Sequence, residues 1–208
     1  MRRGGAQRVG GMTRRALARA FAALALALGG APAFAFELPE LMALLARQRS
    51  GEARFTEQRF VSGLDAPLAS SGTLSFAAPD RFTRRTLAPR AETMAVDGNT
   101  LTLTRGARSR SFALDAAPEM AALVESVRGT LTGNAALLQS YFDTRLAGSE
   151  RAWTLNLEPR DAALAAQVLA VSIQGQGAEL RSIEMRLAGG DRSVMTITPQ
   201  PAAAASAP

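Results

Sequence analysis

The 208-residue chain contains no Cys, His or Lys, and all 24 of its basic side chains are Arg. The absences remove the thiol nucleophile, the disulfide, the Cys/His zinc site and the Ser-His-Asp triad. They also remove the Schiff-base lysine and the Walker-type phosphate loop. Carboxylate, hydroxyl and guanidinium chemistry is left, or none. Paired carboxylates could serve a glycosidase, but no Asp or Glu stands in a distinctive motif and no G-x-S-x-G elbow is present. No catalytic residue, metal ligand or cofactor site is therefore assigned. Two arginine groups draw notice. Arg105, Arg108 and Arg110 flank a Gly turn and read as a solvated hairpin in preference to an anion site. Phe82, Arg84 and Thr86 share one face of a strand, because side chains alternate. If Phe82 faces an apolar interior, so does Arg84, and a guanidinium there needs a partner. A register slip of one residue would turn it outward instead.

The net charge of +6 is misleading about partners. Six Arg and no acid lie in residues 1–35; the remaining 18 Arg match the 18 Asp and Glu of the rest. A neutral chain lacks the basic face that a nucleic-acid binder uses to displace counterions. Residues 1–35 read as a secretory signal. Arg14, Arg15 and Arg19 are followed by the apolar run Ala20–Leu28, which is shorter than the roughly 20 residues of a membrane span. Ala33-Phe34-Ala35 is an A-x-A cleavage site, so the mature chain is expected to begin at Phe36 in the periplasm. Met12 is an alternative start, Thr13-Arg14-Arg15 faintly resembles a twin-arginine signal, and an uncleaved anchor helix is the competing reading.

Downstream, hydrophobic periodicity separates the elements. Leu38, Leu41, Met42 and Leu45 mark a helix within Phe36–Gln48. Six short alternating stretches follow, at 54–62, 68–76, 81–87, 92–96, 101–104 and 108–114, with Asp97-Gly98-Asn99 as a strong hairpin signal. The period then becomes helical. Leu123, Val124, Val127 and Leu131 mark a helix over 117–131, and Leu137, Leu138, Tyr141 and Phe142 mark another over 134–142. Strands resume at 144–146, 152–158, 168–173, 180–187 and 194–198; Pro159–Gln167 reads equally as loop or helical turn. The expectation is one α+β domain over 36–198, mainly β, followed by a disordered Ala/Pro tail at 199–208. Eleven strands cannot stay flat, so their apolar face should curl around the helices, either packed solid or leaving a cleft.

At this point the residues resemble a family. Phe55-Thr56-Glu57-Gln58, Ser71-Gly72-Thr73-Leu74-Ser75-Phe76 with Pro79-Asp80-Arg81-Phe82, then Glu92 and the Asp97-Gly98 hairpin, are similar to the periplasmic lipoprotein carriers of the LolA type, and the order of elements is similar too. The resemblance implies an unclosed antiparallel β-barrel with a helical lid and no enzymatic activity. It implies an apolar cavity that shields acyl chains of a lipoprotein or other acylated lipid during transfer to the outer membrane. An inner-membrane release complex or exporter would be the donor, an outer-membrane protein the acceptor, and the carrier a monomer without cofactor. Carriers of the family place an Arg before the Pro of the P-x-x-F segment, where it helps to hold the lid shut; here that position is Ala78. They point a Trp inward where this chain has Arg84.

Under this resemblance the cavity lining would comprise Phe82, Met94, Leu101, Leu103, Phe112, Leu123, Val127, Leu138, Trp153, Leu155 and Met185, the alternative being a packed core. Met42, Met120 and Met195 would add adaptable surface. Arg84 would either latch the lid through Glu119 or Glu125, or contact an acidic group of the cargo. A lipid-sensing domain of the envelope-stress type is the second functional reading, and a carboxylate hydrolase the third.

Overall fold

The computed structural model describes residues 36–116 and 118–201, without the side chains of 118–120. The expected leader, its cleavage point after Ala35 and residues 202–208 of the expected tail lie outside these residues. Eleven strands form one antiparallel sheet: β1 (Ser50–Phe60), β2 (Leu68–Ala77), β3 (Arg81–Ala88), β4 (Glu92–Asp97), β5 (Thr100–Arg105), β6 (Arg108–Ala113), β7 (Phe142–Ser149), β8 (Ala152–Pro159), β9 (Val168–Gln176), β10 (Glu179–Leu187) and β11 (Arg192–Gln200). Their order is β6-β5-β4-β3-β2-β1-β11-β10-β9-β8-β7. Two meanders thus meet where β1 pairs with β11, with Phe55 opposite Ile197. β6 and β7 remain unpaired edges, so the sheet is not closed into a barrel.

This order fixes where the helices lie. The chain leaves the sheet at one edge, β6, and re-enters at the other, β7. With neighbouring strands about 4.8 Å apart, the connection must cross a whole face. It does so as α2 (Pro118–Thr132) and α3 (Ala135–Tyr141), after a 3₁₀ turn at Leu114–Ala116; α1 (Leu38–Leu45) and the single turn α4 (Ala162–Ala165) complete the set. The face they cover is called inner below. Asn134 Oδ1 accepts from Leu137 N at 3.0 Å and starts α3, and Asp161 Oδ1 accepts from Ala163 and Leu164 N to start α4. Pro159–Gln167 therefore contains a helical turn. At Gly133, φ is +66°, and an added Cβ would lie 2.1 Å from Met42 O, so the α2–α3 turn seats directly on α1.

Several strand ends differ from expectation, and two of the differences move residues between classes. Phe142 carries the helical stripe of its neighbours but is the first residue of β7, fully buried opposite Pro159. Pro199 and Gln200 belong to β11, paired with Ala53 and Glu52.

The inner face supports two apolar clusters of unequal size. The larger joins α1, α3, α4 and β7–β11 around Leu41, Leu45, Leu138, Phe142, Trp153, Leu155, Leu157 and Ile173, and takes in Ala122 of α2, with Leu123 and Leu131 packed against it. Each such fully buried side chain contributes roughly 1.5–3 kcal/mol. Among the described side chains the smaller holds Val96, Leu101, Leu114, Ala121 and Val124, with Phe82, Met94 and Leu103 packed against it. Between them, at the centre of the sheet, β2 bulges at Ser71–Gly72. A Cβ on Gly72 would sit 2.0 Å from the Arg85 carbonyl oxygen and 2.9 Å from the Phe55 ring. Gly72→Ala is expected to cost at least the roughly 1–3 kcal/mol of an overpacked core site. Gly189→Ala, where nothing lies within 4 Å, is expected to be neutral. Urea unfolding of the two variants checks the pair.

Candidate functional site

Register converts the strand residues of β1–β6 into rows across the inner face. The first row runs Phe76, Phe82, Val96, Leu101 and Phe112. Two residues along, the second runs Ala53, Leu74, Arg84, Met94, Leu103 and Arg110. The third contains Phe55, Gly72, Thr86 and Glu92, then Arg105 and Arg108, which face one another across β5 and β6. Glu57 and Ser70 pair in the fourth. Chemistry changes steadily along this axis, from an apolar row to a charged one.

Cover changes with it. Val96 and Leu101 of the first row are buried, beneath Leu114 and the α2 side chains Ala121 and Val124. Arg84, Met94 and Leu103 of the second are half-buried, and Arg105, Arg108 and Arg110 are exposed. α2 is seated tightly: the space bounded by Phe76, Phe82, Val96, Val124 and Leu131 is about 20 Å³, room for a single water. A larger depression of about 450 Å³ lies in the middle strands, lined by Thr56, Gln58, Ala69, Ser71, Val194 and Thr196. By alternation these belong to the outer face; Glu57, Ser70, Ala88 and Pro89 complete the lining.

Among the described side chains, one polar contact ties α2 to the sheet. Arg128 Nη2 donates to the Gly98 carbonyl in the β4–β5 turn at 2.6 Å, and Nη1 to Glu125 Oε1 at 2.6 Å. Both side chains are largely buried, and Glu125 Oε2 has no partner. Glu125 is thus committed to Arg128 rather than to Arg84. The side chain of Glu119 lies outside the described residues.

Arg84 does face inward, as its alternation with Phe82 requires, and its partner comes from another strand. The guanidinium forms an ion pair with Glu57 of β1 and reaches Ser70 Oγ at 3.5 Å. Glu57 Oε2 also accepts from Ser70 Oγ at 3.0 Å, and Oε1 from Ser193 Oγ at 2.5 Å. To reach from β3 to β1, Arg84 passes over Gly72 and stacks on Phe55, its Cζ 4.8 Å from the ring centroid. Burial alone would raise the Glu57 pKa. The Ser193 hydrogen bond, the charge of Arg84 and the bonds from Ser70 and Arg84 outweigh burial and lower it.

The remaining expected cavity residues fall into separate groups. Phe82, Met94, Leu101 and Leu103 belong to the smaller cluster. Leu123, Leu138, Trp153, Leu155 and Met185 belong to or pack on the larger, as do Met42 and Met195. Trp153 lies over Gly175, where a Cβ would come within 2.1 Å of the indole, and its Nε1 donates to Gly177 O at 2.9 Å. It is interlocked core. Phe112 is 45% exposed on the edge strand, and Val127 is half-buried. Sequence reasoning missed Glu57, Ser70, Ser193 and Arg128. The available signals were Glu57 sharing the alternation of Phe55, and the Glu125/Arg128 spacing on one helix face.

Because the folded-state pKa of Glu57 is depressed, its contribution to stability is present above the unfolded value of about 4.3 and is lost as pH falls through the folded value. Glu57→Gln is expected to cost about 1–3 kcal/mol at pH 7. The variant and wild-type unfolding free energies, measured in urea against pH, are expected to converge once the pH has fallen below the depressed folded-state value.

Residues 30–208 match the family described as outer membrane lipoprotein carrier protein LolA-like. Among solved structures, the LolA superfamily protein NE2245 from Nitrosomonas europaea is 11% identical at a TM-score of 0.41, with 79% of this chain and 93% of that one covered. MucB is 20% identical at 0.47, over 82% of this chain and 59% of that one. LprF from Mycobacterium bovis is 8% identical at 0.30, over 77% and 91%. Among curated proteins nothing matches the sequence. No helix among the described residues is long and apolar enough to cross a membrane.

Proposed function

Since the chain belongs to the outer membrane lipoprotein carrier protein LolA-like family, we propose that it shields the acyl chains of a lipoprotein or other acylated lipid across the periplasm, towards the outer membrane. Cargo arrives from an inner-membrane release complex or exporter, leaves to an outer-membrane acceptor, and is held by a monomer. Nothing in this task needs catalysis, a metal or a cofactor.

The observation that carries the reading is the asymmetric cover of the inner face. The larger cluster is interlocked, with Trp153 locked over Gly175. Among the described side chains the smaller is capped by Ala121 and Val124 of α2 and Leu114 of the 3₁₀ turn, with one tie from Arg128 to Gly98. An acyl chain exposed to water costs about 0.8 kcal/mol per CH₂. A chain that slides between α2 and the first two rows exchanges that exposure for contact with Phe82, Met94, Leu101 and Leu103. What it displaces is the contact of Ala121 and Val124 with the smaller cluster, while Ala122, Leu123 and Leu131 keep the other side of α2 against the larger cluster. Release reverses the exchange. The outward gradient from apolar to charged rows orients the guest, its chain under α2 and its polar end toward Arg105 and Arg108.

Binding of a fluorescent fatty acid, 11-(dansylamino)undecanoic acid, to the mature chain tests this. Phe82→Glu puts a carboxylate in the first row and is expected to weaken binding about tenfold or more, the equivalent of at least about 1.4 kcal/mol. The emission of Trp153 in the other cluster should stay native. Unchanged affinity in this folded variant would falsify the assignment. Arg128→Ala removes the tie and is expected to speed both association and dissociation, read by stopped-flow mixing.

A further inference from the structure

We propose that Arg108 and Arg110 of the edge strand, next to Arg105, form a subsite for the anionic headgroup of an acylated lipid. This rests on the carrier reading above and adds to it the chemistry of the cargo.

The charges at this corner are unbalanced. Arg105 and Arg108 are direct cross-strand partners, and like charges placed opposite one another are destabilising. Arg105 is compensated by Glu92. Among the described side chains no carboxylate pairs with Arg108 or Arg110. Three guanidiniums therefore sit on two adjacent strands against one carboxylate. Arg84, also on this face, is already neutralised by Glu57 and is not available to a guest.

The surroundings make this more than a solvated hairpin. Arg110 is directly opposite Leu103, and the exposed Phe112 opposite Leu101. Every residue of β6 is exposed, so the inner side of the edge presents cations beside uncovered apolar surface. Such a strip matches a molecule with an anionic end and an apolar body, and the surplus of positive charge selects the anion. The position is also right for the proposed path. From the Arg105/Arg108 row to the Val96/Leu101 row is four residues, roughly 13 Å at about 3.3 Å each. A headgroup held by Arg108 and Arg110 therefore points its chain along the strands and under α2. Phosphate or carboxylate oxygens would accept paired guanidinium N–H donors, the strongest such contact available to these side chains.

The test compares lysophosphatidylglycerol with lysophosphatidylcholine of the same acyl length, titrated calorimetrically into the mature chain below their micelle concentrations. The wild type is expected to bind the anionic lipid about tenfold more tightly, with the preference shrinking as salt is added. Arg108→Gln/Arg110→Gln is expected to abolish the preference and leave affinity for the neutral lipid unchanged. Arg54→Gln/Arg85→Gln makes the same change of net charge on exposed side chains of the outer face and is expected to retain it. Equal affinities in the wild type, or a preference that survives in the Arg108/Arg110 variant, would overturn the subsite while leaving the carrier reading standing. Failure of both lipids to bind overturns both proposals. An acidic peptide that binds in place of the anionic lipid, and needs the same two arginines, would overturn the lipid assignment.

Discussion

A single constraint organises this protein: one apolar face, eleven strands wide, has to be kept from water by a few short helices, two of them on the connection between its edges. The larger share of cover goes to β7–β11, where α1, α3 and α4 all converge. What remains for β3–β6 is essentially α2 and the 3₁₀ turn before it. The thinner cluster is a consequence of that allocation. A sheet closed into a barrel would have no free edge, and its interior would be filled from all sides. Leaving β6 and β7 unpaired lets a helix enter the face, and the same opening lets it leave.

The polar network at the centre of the sheet has a different physical origin. Arg84 and Glu57 lie on strands that are not neighbours, and β2 runs between them. A Cβ at position 72 would run into the Arg85 carbonyl and the edge of the Phe55 ring, and the Arg84 guanidinium lies over that ring. The guanidinium thereby gains an aromatic face, a carboxylate and a hydroxyl contact in a site only about a quarter exposed. Ser193 of β11 supplies the remaining lone pair of Glu57 with a donor. Residues from β1, β2, β3 and β11 are thus tied together where the two meanders join. Replacing one partner alone strands the other's charge, which is why the pair acts as a unit.

Local physics made much of the fold legible in the sequence. Alternation located all eleven strands, the change from period 2 to 3.6 located α2 and α3, and Asp97-Gly98 located a hairpin. Phe142 was misplaced because its spacing from Leu138 continues a helical stripe, while burial against Pro159 decides its actual state. The site was less legible. Alternation correctly put Arg84 on the face of Phe82, yet its carboxylate lies 27 residues earlier and two strands away. That distance becomes contact only once the lengths of two turns and a bulge fix the register. The division of the apolar residues into two clusters was equally hidden. Leu101 and Leu155 have the same local pattern, and only the path of the helices across the sheet separates them.

That division bears on how one fold can be both stable and yielding. Interactions that hold a small domain together are strongly cooperative within a cluster and weakly coupled between clusters. Trp153, Leu155 and Leu138 secure the sheet without any contribution from the α2–β4 contact. The two clusters share α2 as well as the sheet: Ala121 and Val124 face the smaller, while Ala122, Leu123 and Leu131 pack on the larger, so displacing Val124 from Val96 and Leu101 moves a helix that the larger core still holds on its other side. Arg128 completes the arrangement. Its bond to Gly98 is a charge-assisted contact to a backbone carbonyl, made at the tip of a hairpin and backed by Glu125. Loss of the arginine would leave the largely buried Glu125 carboxylate without its partner. Among the described side chains, the cover of the smaller cluster is Ala121, Val124 and Leu114 with this one polar tie, which distinguishes this half of the inner face from the packed core beside it.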